Sequence, residues 1–209
     1  MATSQVIEPA VAPRSASVRY VIDSRSEESL LTADFSAGSA WEGFMGPKQG
    51  MPSRGDWQVL LGGKPVAAEQ AQFIFCGLGA FFAQVQPGAL AAVDMRKRST
   101  AILLDRAVND ASYRFQSEHE AKLTSIELQL EQPVETAALL SICGVNSIVQ
   151  HQWACSVHRA HQMLQRMSNL LKQAPNSSQL IVDALHTPED IQLKERVRAN
   201  AVFYGVPLM

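Results

Sequence analysis

The sequence predicts an α+β domain. Three observations carry that expectation: β-branched and aromatic runs near its start, an apolar segment of 20 residues with helix formers at both ends, and a long helical stretch after Pro133. Residues 1–16 mix Pro, Ala and Ser without periodicity and predict a loose arm, which leaves 17–209 as one domain. "VRYVIDSR" and, after the polar turn "SEES", "LLTADFS" read as two strands of a hairpin. The next 21 residues, "AGSAWEGFMGPKQGMPSRGDW", hold five Gly and two Pro and read as a long loop, with "WQVLLGG" as a further strand. "AAEQAQFIFCGLGAFFAQVQ", residues 67–86, is apolar nearly all round and predicts a buried central helix.

Pro87 and Gly88 end that helix; "ALAAVDMRKRST" resumes it and "AILLDRAV" turns to strand. "NDASYRFQSEHEAK" is polar and predicts a turn or an exposed hairpin. "LTSIELQLEQ" alternates as a strand with one apolar-rich face should. From Val134 to Gln173 two helices are expected, divided near Gly144 and Asn146. "QLIVDAL" predicts a strand and "TPEDIQLKERVRANAVF", with a Thr cap and a Pro in its first turn, a helix. Residues from about 170 onward therefore form a helical C-terminal extension.

Composition narrows the function classes. With 46% hydrophobic and 18% charged residues, the 209-residue chain can bury a sizeable core. A formal charge of −2 and a pI near 6.2 give no basic field for a nucleic-acid backbone, so no nucleic-acid partner is expected. No apolar run approaches the ~20 residues a membrane span requires. The N-terminus lacks the basic start and apolar centre of a secretory signal, so the expected location is cytoplasmic. Cysteines at 76, 143 and 155 are odd in number and widely spaced, which predicts reduced thiols. GxGxxG after a strand, HExxH and GxSxG are all missing, and no cofactor is expected.

Chemistry concentrates in "HQWACSVHRAH", residues 151–161. On a continuous helix His151, Cys155 and His158 would lie within about 60° of one another. Such a face can bind zinc or copper, or it can be the solvated edge of a helix whose Trp153, Val157, Leu164 and Met167 turn inward. A third reading concerns the thiol, because His151, His158 and Arg159 would surround Cys155 with cations that favour its thiolate. Cys143, within "LLSICGV", reads as a small core residue. Phe81, Phe82 and Trp153 can line a pocket for an apolar ligand, or simply fill a core. Glu118 and Glu120, flanking His119, can be read as acid-base groups, but so polar a segment reads rather as a solvated loop.

The strand, helix and "C-x-V" order of "LTSIELQLEQPVETAALLSICGVNSIVQHQWACSVHRAH" resembles the C-terminal half of the OsmC/Ohr family of thiol-dependent hydroperoxide reductases. "AAEQAQFIFCGLGAFFAQ" is similar to that family's buried central helix. The resemblance implies an antiparallel sheet around that helix and an intertwined homodimer. It also implies hydroperoxide reduction by a thiolate and a second, resolving thiol. Carried over, Cys155 takes the resolving position, Cys76 is the available second thiol and His158 the nearest modulator of acidity. The sequence departs from the pattern at Phe81, which stands where the reactive cysteine is expected, and at Ser156, which stands for the proline of "CPV". Arg19 and Arg25 are the cations available to steady a thiolate. A degenerate site follows, or a protein that binds an apolar ligand or a protein partner without turnover.

Overall fold

The computed structural model describes residues 17–22, 41–45, 52–62, 71–90, 93–96, 98–173 and 200–205. The expected arm over 1–16, the second hairpin strand at 30–36 and most of the C-terminal extension lie outside the described residues. Helices and sheet are both present, as expected. The strand direction is not: among the described residues the main sheet is largely parallel rather than antiparallel.

Six strands build that sheet: β1 (Ser17–Ile22), β2 (Trp41–Met45), β3 (Ala71–Cys76), β4 (Arg98–Leu104), β6 (Ser147–His151) and β8 (Ala201–Gly205). Their spatial order is β2-β1-β3-β4-β6-β8. The first four neighbouring pairs are parallel, and only β8 runs antiparallel, with Ile148 opposite Tyr204. A second, two-stranded ladder joins β5 (Ala107–Val108) to β7 (Cys155–Ser156), also in parallel.

The segment expected as a central helix contains strand β3 instead. Between β1 and β4 its residues Phe73, Ile74, Phe75 and Cys76 are wholly buried, some toward each face. An interior parallel strand has no polar face, so it shows a continuous apolar run, which periodicity cannot tell from a buried helix. β4 repeats this pattern from Ala101 to Leu104.

Burial on both faces requires a helical layer on each side. On one side α6 (Val157–Gln173) lays Val157, Ala160, Leu164, Met167 and Leu171 over Ile74, Ile102 and Val149. On the other, α1 (Arg54–Gly62), the 3-10 turn Phe81–Ala83, α2 (Pro87–Leu90) and α5 (Pro133–Ile142) cover Val21, Phe73, Phe75, Leu103 and Ile148. α3 (Asp110–Glu120) and α4 (Ser125–Leu130) are the remaining helices among the described residues.

Two further expectations are corrected. "WQVLLGG" belongs to α1, whose start is closed by Ser53 and Asp56, each backbone N–H donating to the other's side chain. "LTSIELQLEQ" forms α4, not a strand, because Thr124 and Glu127 make the same reciprocal cap. The break near Gly144 is found as expected. Its φ of 103° is left-handed, and a Cβ there would sit 2.9 Å from the Arg96 Cα. After that break, however, the chain enters β6 before α6 begins.

Phe81 anchors the second layer, with ring centroids 5.2 Å from Phe75, 5.4 Å from Phe82 and 6.1 Å from both Trp57 and Phe73. Phe81 and Phe82 are buried members of the core cluster on this face of the sheet. Phe81→Ala is expected to lower unfolding free energy by about 3–5 kcal/mol, read by urea denaturation.

Candidate functional site

The five mutually parallel strands of the sheet end at one edge, so the residues just after β3, β4 and β6 converge there. The β3 and β4 exits are laced together: Gly77 N–H donates to the Leu104 carbonyl, Arg106 N–H to Gly79 and Ala107 N–H to Gly77. The Asp105 carboxylate adds a bond from the Phe81 N–H at 3.0 Å. This is the edge at which open parallel sheets hold ligands.

Asp105 is fully buried. Burial pushes its carboxyl up to about 6, against the opposing pull of the Arg106 charge, the Phe81 N–H and the Gln150 side chain. Arg106 is the one non-glycine residue with a left-handed backbone among those described, at φ 60°. Bonds on both sides hold it there, since its N–H donates to Gly79 and its carbonyl accepts from Cys155 N–H at 3.2 Å.

The expected face of His151, Cys155 and His158 does not exist as one helical face. His151 closes β6, Cys155 lies on β7 and His158 begins the first turn of α6. His151 and Cys155 meet at 3.5 Å in the interior, whereas His158 is exposed and reaches Gln162 at 3.0 Å. Among the described residues no three His, Cys, Asp or Glu side chains could hold a metal ion together. Trp153 is 63% exposed in the loop between β6 and β7, away from the buried Phe81 and Phe82.

Nor do the cations activate Cys155. Burial, then the Asp105 charge, push its thiol up to about 11, and the Arg159 charge only partly offsets them. His151 cannot act as its base. Its Nδ1 lies 3.1 Å from the Asp105 carbonyl, which only accepts, so Nδ1 carries the proton and has no lone pair for the thiol. Burial also lowers the His151 pKa, keeping the ring neutral. Cys76 and Cys155 are not joined in a disulfide and lie in the same apolar cluster. Arg19 is spent elsewhere, on Glu42 at 3.1 Å and on the Val59 carbonyl.

A residue outside that expected face lines the cleft at this edge. His119, expected in a solvated loop, lies on α3 with Nε2 2.9 Å from Glu131 Oε1. Both line a cleft of ≈ 70 Å³ that also takes in Gly79, Ala80, Arg106 and Leu128. The usable sequence signal was the Asn109 to Ser112 cap, which makes "NDASYRFQSEHEAK" a helix and points His119 to one side of it.

A second surface lies next in the chain. α5 buries Pro133, Thr136, Ala137 and Leu140, yet its outward stripe is also apolar: Val134 is 59% and Ile142 81% exposed, with exposed Ala138 between them. Solvated helices ordinarily turn charge outward.

Fold and edge together define a three-layered α/β protein with a cleft at the carboxyl ends of its parallel strands. No protein-family model matches the chain. Over 118 residues, 53% of the chain, it is 29% identical to cilia- and flagella-associated protein 46 of Chlamydomonas reinhardtii. The chain spans only 4% of that protein's length. No helix among the described residues is long and apolar enough to cross a membrane.

Two outcomes are expected. A thiol raised from 9.0 to about 11 has roughly a hundredfold less thiolate, so iodoacetamide at pH 8 should label Cys155 at least about 100-fold slower in the folded chain than in urea. Asp105 keeps its proton to about pH 6 when folded but loses it near its ordinary value of 3.8 when unfolded. Its contribution to stability is thus complete below about pH 4, falls as pH rises to about 6 and is flat above. Asp105→Asn should remove that slope, with up to ~3 kcal/mol of relative gain at pH 7, read as the difference between wild-type and variant denaturation curves at pH 4.5 and 7.

Proposed function

We propose that the protein is a non-catalytic assembly module that self-associates through α5. The observation that carries this reading is the uncharged stripe Val134, Ala138 and Ile142 facing outward from a helix whose other side is already in the core. The stripe is self-complementary. Across a two-fold axis at Ala138, Val134 of one copy meets Ile142 of the other, and the small central residue lets the two helices approach closely. Glu135 borders the stripe beside Ile142, so pairing sets one carboxylate from each copy at its rim. The partial relative, a protein whose name associates it with cilia and flagella, is far longer than this chain, which suits a module within an assembly.

One helix pair covers less than the ~800 Å² per partner of a standard interface, so association is weak. Light scattering from roughly 10 μM to 1 mM should show the mass rising from 22.8 kDa toward twice that value. Val134→Glu with Ile142→Glu should hold it at the monomer value while circular dichroism stays native. A mass that is flat with concentration, or a rise that survives the double substitution, removes this reading.

Thiol-dependent hydroperoxide reduction is a second reading, supported by Cys76 and Cys155 sharing one cluster. The raised thiol and the committed His151 proton argue against it. An excess of organic hydroperoxide is expected to leave both thiols reduced after minutes, by mass spectrometry. A rapid Cys76–Cys155 disulfide, lost in Cys155→Ser, would restore the enzymatic reading.

A further inference from the structure

We propose that the cleft at the carboxyl edge of the sheet binds a small monocarboxylate, with the Arg106 guanidinium holding the two carboxylate oxygens. Arg106 occupies a left-handed conformation that glycine would adopt without strain, and a residue with a Cβ is kept there by bonds at both its N–H and its carbonyl. A position that tolerates this strain for the sake of an arginine is one where the side chain matters.

The guanidinium is short of acceptors. One amino group donates to the backbone carbonyl of Glu131, and Nε is buried with no partner. No ion pair to it occurs among the described residues, and the carboxylate nearest in sequence, Asp105, has turned Oδ2 to the Phe81 N–H. Nε is shielded from the cleft, so the amino N–H groups not bonded to Glu131 are the donors left for a ligand, and the planar end of the guanidinium matches two oxygens of one carboxylate.

The surrounding wall selects the class of anion. Glu131 is paired with His119 at 2.9 Å, which keeps that carboxylate from folding onto Arg106. Glu120 on the wall and Asp105 behind set negative charge against that of Arg106, which opposes a phosphate dianion more strongly than a carboxylate monoanion. Leu78, Ala80, Ala83 and Leu128 offer apolar surface to a short carbon tail. The volume of ≈ 70 Å³ is several times the roughly 10–15 Å³ that one water needs on the same measure, which leaves room for a carboxylate with a short carbon tail.

The test is isothermal titration of the full chain with sodium propionate, replacing sodium chloride at constant ionic strength. Saturable binding is expected with a dissociation constant in the millimolar range, at least tenfold weaker in Arg106→Gln. Ala83→Leu fills the cleft without touching Arg106 and should weaken binding by a similar factor, so the test survives poor folding of the arginine variant. Side by side, N-acetylglutamate amide presents the same carboxylate on a peptide backbone. Tighter binding of that compound assigns a peptide-borne carboxylate, and tighter binding of propionate a free small acid. Absence of saturation, equal affinity in both variants, or phosphate binding as tightly as propionate would each overturn the proposal.

Discussion

The structure depends on the burial of β3 and β4 on both faces. Phe73 to Cys76 and Ala101 to Leu104 have no solvent-facing side, so each backbone polar group must be met by a neighbouring strand and each face by a helical layer. α6 serves one face; α1, the Phe81 turn, α2 and α5 serve the other. The parallel direction follows from connections that pass across those layers, and it gathers the strands' carboxyl ends at one edge. Gly79, the neighbouring Asp105 and Arg106, and Ala154 come from three distant parts of the sequence, and this geometry brings them to the same rim.

That rim is where local rules are broken. A carboxyl is fully buried at Asp105, and an L-residue is left-handed at Arg106, each at a cost of order 1–3 kcal/mol. Both are offset by hydrogen bonds to the β3 exit and to β7. Conflicts of this kind in an otherwise consistent core are characteristic of sites kept for something other than stability.

The same tertiary packing reverses the chemistry of the thiol. A helix through residues 151–161 would have set cations around Cys155 and favoured its thiolate. The fold instead ends β6 at His151, commits the imidazole proton to a backbone carbonyl and sets the Asp105 charge near the sulfur. Cys155 thus belongs to the interior, and the chemically open groups are Arg106 in the cleft and the apolar stripe of α5.

Local structure was legible wherever a local interaction decides it. The strand at β1, the helix after Pro133 and its stop at Gly144 follow from β-branching, an initial proline and a left-handed glycine. Three helix starts were also written in the chain, as Ser53 with Asp56, Asn109 with Ser112 and Thr124 with Glu127, although periodicity alone suggested strands or turns there. What only the tertiary structure decided was non-local. An apolar run such as "AQFIFC" is equally a buried helix or a buried strand until its neighbours are known. Strand direction, the meeting of His119 with Glu131 and the sign of the field at Cys155 all arise from residues distant in sequence, whose contacts no local pattern encodes.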